Sequence, residues 1–171
     1  MHTPLTPLAF AQRARRLYPD REAVVDGDLR LSYAQFFDRC DRWSAALQAL
    51  GVRQGDRVVC ISPNTHAALE AFYAVPEIGA VLVPVNYRLT PDDFAYIINH
   101  ADDEVILFDS TFTPLIKAIV GQCPKVRHWI CMADAANTPV VDGMHIQREP
   151  LPDGHSGVLQ LIQERYDRLA P

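Results

Sequence analysis

The stretch DRVVCISPNTHAALEAFYAVPEIGAVLVPVNYRLTPDDFAYIINHADDEVILFD, residues Asp56 to Asp109, sets the architecture. Three apolar runs, DRVVCIS, AVLVPV and EVILFD, are separated by two segments of helical spacing, NTHAALEAFYAV and Thr90 to Ala101. The runs are continuously apolar, so each reads as a strand buried on both faces. Pro76 is expected to halt the first helix. Strand, helix, strand with short joins implies right-handed crossovers and a mostly parallel sheet with helices on both faces, an α/β fold.

The flanks extend this pattern. Upstream, Thr6 to Tyr18 reads as a helix, and EAVVDGDLRLS as two short strands around Asp26, Gly27 and Asp28. Ser32 with Gln35 three residues on forms a capping box. It opens a helix whose buried face is Tyr33, Phe36, Phe37, Cys40, Trp43, Leu47 and Leu50, and Gly51 stops it. Downstream, Thr113 to Val120 is a helix and VRHWICM a strand. Residues 1–133 are therefore expected to form one α/β subdomain. Residues 134–157, rich in Pro, Gly, Asp and Asn, read as an irregular connection with an edge strand around MHIQ. Residues 158–171 read as a terminal helix, with Val158, Leu159, Ile162, Tyr166 and Leu169 on one face.

Composition narrows the function classes. A net charge of -5 does not favour nucleic acid as a partner. Cys40, Cys60, Cys123 and Cys131 form no CxxC pair and sit in apolar segments, which suggests reduced thiols and a cytoplasmic location. No apolar run is long enough to cross a membrane, and the first residues lack the order of a signal peptide. Arg13, Arg15 and Arg16 make a small basic patch that reads as solvated surface, so peripheral membrane contact is not expected.

Candidate chemistry is sparse. There is no GxGxxG or GxxxxGK[ST], and the join SPNTH carries no glycine, so a phosphate cradle is not expected. DGHSG lacks the residue between Ser and Gly that a nucleophile elbow needs, and Ser156 reads as a helix cap. The six histidines show no metal spacing, and no catalytic or metal-binding residue is assigned. His66 opens a helix beside a strand end, a place that suits anions. Asp102, Asp103 and Glu104 read as a solvated turn. Thr90, Pro91 and Asp93 are explained as a helix start. Asn86, Tyr87 and Arg88 remain as polar residues after a buried strand. Composition favours a role in holding the loop, with a neighbouring domain or a ligand as the other readings.

The ordered segments from LRLSYAQ through LGVRQGDRV, PNTHAALEAFYAVPEIGAVLVPVNYRLT and EVILFD resemble the N-terminal part of the acyl-CoA synthetases, in the adenylate-forming (AMP-binding) superfamily. The resemblance covers about Asp20 to Met132 and is nearest the fatty-acid and aryl-acid CoA ligases. It implies the N-terminal subdomain of that fold, and a whole enzyme using ATP, Mg²⁺ and coenzyme A. That enzyme would convert a carboxylic acid to its thioester through an acyl-adenylate, as in fatty acid metabolism. The family's Ser/Thr/Gly-rich loop ending in Pro-Lys-Gly is absent, as are its later motifs. The expectation is a fragment with no cofactor site and no activity alone, whose partner is the missing C-terminal portion. Asn86, Tyr87, Arg88 and His66 would then help shape a substrate or subdomain interface. Two other readings are a standalone, non-catalytic module that binds or dimerises with a full-length synthetase, or with itself as a homodimer, and a small flavodoxin-like binding domain.

Overall fold

The computed structural model describes residues 6–132 and the backbone of two further strands, β7 (Met144–Gln147) and β8 (Gln160–Gln163). The elements follow the order α1 (Pro7–Leu17), β1 (Glu22–Asp26), β2 (Leu29–Ser32), α2 (Tyr33–Ala49), β3 (Arg57–Ile61), α3 (His66–Glu77), β4 (Val81–Pro84), α4 (Pro91–His100), β5 (Val105–Asp109), α5 (Thr113–Ile119) and β6 (His128–Met132). They fall into two compact units, one of Met1–Asp56 with Asn64–Leu82, the other of Arg57–Pro63 with Val83–Pro171.

The first unit holds the β1–β2 hairpin and helices α1, α2 and α3. The hairpin is antiparallel and turns at Gly27, whose φ of 56° is one that glycine adopts at little cost. The capping box forms as expected: Ser32 Oγ accepts from the Gln35 N–H at 3.3 Å, and Gln35 Oε1 accepts from the Ser32 N–H at 2.9 Å. Phe36, Phe37, Cys40, Trp43 and Leu47 are buried along one face of α2. The T-shaped packing of Phe36 and Phe37 on Tyr73 ties that face to α3.

Pro76 does not halt α3, which runs on to Glu77. A proline in the last turn forfeits one bond, to the carbonyl of Phe72, on a part of the helix that faces solvent. The Ser44 hydroxyl lies 3.0 Å from the Ala74 carbonyl and 2.8 Å from Glu77 Oε2, giving this weakened end polar contacts from α2. Gly79, with φ 76°, reverses the chain into β4.

The second unit is built on a sheet of order β4-β3-β5-β6, in which β3, β5 and β6 pair in parallel. Val59 and Ile61 on β3, Ile106 and Phe108 on β5, and Trp129 and Cys131 on β6 present one face to Phe94 and Ile98 of α4 and Ile116 and Ile119 of α5. The alternate residues Cys60, Leu107 and Ile130 are buried too, so these strands are out of solvent on both faces. That burial is why they read as unbroken apolar runs.

The expected edge strand at MHIQ is β7. The expected helix over 158–171 is corrected where it is described, because Gln160–Gln163 is a strand paired antiparallel with β7. A short apolar run such as VLQLI satisfies helical and extended patterns equally, and the pairing of Gln160–Gln163 with β7 gives backbone donors and acceptors partners. The expected helix cap at Ser156 lies outside the described residues.

Candidate functional site

The sequence-selected residues fall in two places. His66 belongs to the first unit, and Asn86, Tyr87 and Arg88 to the second.

His66 is the first residue of α3, after the cap Thr65. The anion expected at this helix start is supplied by the chain itself. Asp26 Oδ2, at the end of β1, accepts from the His66 backbone N–H at 2.9 Å and lies 2.7 Å from His66 Nδ1. The backbone bond first, then the ring contact, hold the Asp26 carboxyl below its ordinary range. The pair borders a cleft of about 270 Å³, whose walls include Val25, Leu69 and Phe72. A carboxylate already seated at the α3 start repels a second anion there.

Asn86, Tyr87 and Arg88 follow β4. Asn86 Oδ1 accepts from the Arg88 N–H at 3.1 Å, so this residue holds its own turn. Tyr87 tilts against Phe112 with ring centroids 5.8 Å apart, and the Arg88 guanidinium stands 5.7 Å from the Tyr87 ring. All three are exposed. The result is a cation on an aromatic ledge beside the carboxyl ends of the strands, the side of an α/β sheet where ligands and neighbouring domains meet it. The Thr90–Asp93 capping box that follows is formed, with Asp93 N–H donating to Thr90 Oγ1 at 3.3 Å and Thr90 N–H to Asp93 Oδ2 at 3.1 Å.

Two buried charges escaped the sequence reading. Glu70 of α3 is fully buried between Arg39 and Trp43 of α2. Asp103 is the second, and it corrects the solvated-turn reading of Asp102, Asp103 and Glu104. Asp102 is exposed and paired with Lys125, but Asp103 is fully buried and neither of its carboxylate oxygens has a hydrogen-bond partner. Asp102, just before it, adopts φ 53°, in the left-handed region that favours glycine. Burial pushes the Asp103 carboxyl up to about 6, against the pull of Arg57. Arg57 itself donates to the carbonyls of Ala101 and Asp102. A three-residue acidic run carries no sign of which member turns in; Asp102 in a position that glycine favours is the only clue.

Among the described residues there is no glycine-rich turn of the kind that cradles the phosphates of a nucleoside triphosphate. The join from β3 to α3 has no glycine, and the positive-φ glycines Gly27, Gly51, Gly55 and Gly79 serve the hairpin turn, a helix end and loop turns. Among the described residues no cluster of His, Cys, Asp and Glu is arranged for a metal, and no helix is long and apolar enough to cross a membrane. The four cysteines are buried free thiols, as their apolar surroundings implied.

Comparison with known proteins places this geometry. The AMP-binding enzyme family matches residues 10–159, and the chain belongs to that family. It is 43% identical over 131 residues to a long-chain-fatty-acid–CoA ligase of Thermus thermophilus, covering 74% of this chain and 24% of that protein. It is 40% identical over 135 residues to 4-hydroxybutyrate–CoA ligase 2 of Metallosphaera sedula, covering 79% of this chain and 24% of the relative. The chain thus spans about a quarter of the length of these curated relatives. Among solved structures, a Mycobacterium tuberculosis fatty acyl CoA synthetase superposes with a TM-score of 0.69 at 29% identity, over 80% of this chain and 30% of that one. An anthranilate CoA ligase bound to anthranoyl-AMP superposes with a TM-score of 0.72 at 23% identity, over 77% of this chain and 25% of that one, a likeness of fold. The expected α/β fold, with its parallel sheet and the N-terminal domain of adenylate-forming enzymes, is the one observed.

Proposed function

We propose that this chain is the N-terminal portion of an ATP-dependent carboxylic acid–CoA ligase, and that it makes no acyl-CoA alone. One observation carries the reading: residue-level identity to acid–CoA ligases runs through most of this chain yet fills only a quarter of theirs. The whole enzyme would use ATP, Mg²⁺ and coenzyme A, bound mostly by residues outside this chain. The missing Pro-Lys-Gly loop and the lack of a phosphate cradle support the inactivity of the part. Asn86, Tyr87, Arg88 and His66 serve as surface toward substrate or toward the rest of the polypeptide, a role that suits the exposed ledge at Tyr87 and Arg88. The four reduced thiols suit a cytoplasmic protein.

The test has two arms. The purified chain is given ATP, Mg²⁺, coenzyme A and a panel of carboxylic acids, and thioester is measured. A chimera in which residues 10–159 replace the matching part of the Thermus thermophilus ligase is assayed alongside. Thioester from the chimera and none from the chain is the expected result. Thioester from the chain alone overturns the inactivity, and a folded chimera with no activity counts against the ligase reading.

A further inference from the structure

We propose that the turn from α4 into β5 is a latch with two positions, worked by a proton. With Asp103 neutral, Arg57 holds the carbonyls that end α4. With Asp103 ionised, Arg57 leaves them for the carboxylate, and the end of α4 frays.

Three observations meet at this turn. Asp103 is fully buried, and neither of its carboxylate oxygens has a hydrogen-bond partner. Arg57, which opens β3, lies close enough for its charge to act on Asp103. Its N–H groups nevertheless go to the backbone just before that residue: Nε donates to the Ala101 carbonyl at 2.8 Å, and Nη2 to the carbonyl of Asp102. Asp102 itself sits at φ 53°, a conformation that costs a residue with a Cβ free energy unless its surroundings hold it there. Arg57 is the part of the surroundings that does so. A carboxylate takes a guanidinium in a charge-to-charge bond, two-pronged where geometry allows, that a carbonyl cannot match. While Asp103 keeps its proton there is no such competitor. When the proton leaves for solvent, a buried charge and a nearby cation stand in the same turn, and pairing them relieves the cost of the unpaired charge. Burial brings that ionisation to about 6, within the range where small changes of pH act.

The other charged and titratable groups of the turn and its neighbours lie on its rim. Asp102 pairs with Lys125, and Glu104 with Arg127. His100 ends α4 and stacks on Tyr96, with ring centroids 5.4 Å apart. His128 opens β6 opposite Val105. Glu104 is also tied through its carbonyl, which accepts from the Arg127 N–H at 2.8 Å. The β5 side of the turn therefore stays anchored, and the change falls on the α4 side. There the Ala101 N–H donates to the Ile97 carbonyl at 2.9 Å and the Asp103 N–H to the Ile98 carbonyl at 3.0 Å. These two amides report the position of the latch, and the Arg127 amide serves as their reference.

Amide hydrogen exchange of the 171-residue chain at pH 5 and pH 7.5 tests this, read as protection factors, which remove the intrinsic pH dependence of exchange. Protection at Ala101 and Asp103 should fall about tenfold or more at the higher pH, while Arg127 changes by less than about twofold. Equal protection at the two pH values overturns the proposal. An equal fall at Arg127 shows general loosening and also overturns it. Asp103→Asn cannot ionise and should keep its pH 5 protection at pH 7.5. A fall that survives in this variant belongs to His100 or His128, and the latch is again overturned. A second measurement needs no variant. In an NMR titration of the unsubstituted chain, the Arg57 Nε–H resonance should move with the same midpoint as the Asp103 carboxyl carbon. An Arg57 resonance that does not follow that midpoint overturns the exchange of partners, whatever Asp103→Asn does to folding.

Discussion

The Glu70 carboxylate on α3, wholly out of solvent, is met by the Arg39 guanidinium and, at 3.0 Å, by the indole Nε1–H of Trp43, both from α2. One buried charge is thus held by two residues four apart on the neighbouring helix. Arg39→Met strands the carboxylate and should cost about 3–5 kcal/mol. Adding Glu70→Gln removes the charge and keeps an acceptor for Trp43, so it should restore about 2 kcal/mol or more. Urea unfolding of the single and double variants checks both; equal losses would show that the cost of Arg39→Met does not come from a stranded carboxylate.

Asp103 should make stability fall as pH rises. The unfolded carboxyl ionises near 3.8 and the folded one at about 6. The folded state therefore binds the proton more tightly, and this group favours folding below pH 3.8. That advantage is lost as pH rises through the interval to about 6. Asp103→Asn cannot ionise. Relative to the parent, the variant should gain about 2–3 kcal/mol between pH 3.5 and pH 7. Unfolding free energies across this range test the sign, and a flat difference would show that the carboxylate is not desolvated.

The Asp26–His66 contact carries the opposite sign. Its carboxyl is held low, so its contribution is present above the unfolded value of 3.8 and is lost as pH falls through the lower folded value. The carboxylate is partly exposed and screened, so Asp26→Ala should cost about 1 kcal/mol at pH 7. The loss should shrink toward zero in strong acid, where the parent carboxylate is also neutral. A loss independent of pH would show that the contact acts by packing alone.

Two glycines should respond differently to alanine. At Gly79, φ is 76° and an added Cβ would stand 3.0 Å from Gln54 Cγ. Gly79→Ala should cost about 1–2 kcal/mol, since the left-handed strain adds to the crowding. Gly121 has no positive φ and an added Cβ meets nothing within 4 Å. Gly121→Ala should be neutral or stabilising by up to about 1 kcal/mol. Thermal melts of both variants settle the contrast.

What was legible in the sequence follows from where the information is local. The capping boxes at Ser32 and Thr90 and the buried stripe of α2 are each written within a few residues, and each formed. Pro76 misled because its cost depends on which turn it occupies and on Phe72 facing water. The run around Ile162 misled because four apolar residues do not distinguish a helix from a strand. Glu70 and Asp103 carry no local sign of burial: Glu70 is met by Arg39 and Trp43, far along the chain, and Asp103 follows the left-handed residue Asp102 and comes under the pull of Arg57 on β3, 46 residues earlier. The partner of His66 was hidden for the same reason, because Asp26 reads as a hairpin turn residue until the hairpin meets α3.

The path of the chain between its two units has a consequence for synthesis. Residues Arg57–Pro63 belong to the second unit, although parts of the first precede and follow them. On the ribosome, β3 therefore emerges before its neighbour β5 exists, and its apolar Val58 to Ile61 must wait until Val105 to Phe108 are made. The nascent strand has its β5 edge unpaired throughout that interval, the state in which chaperones bind and wrong partners are captured. The same interleaving means that no single cleavage site yields both units whole. Dissecting this protein into working halves would require rewiring its connections.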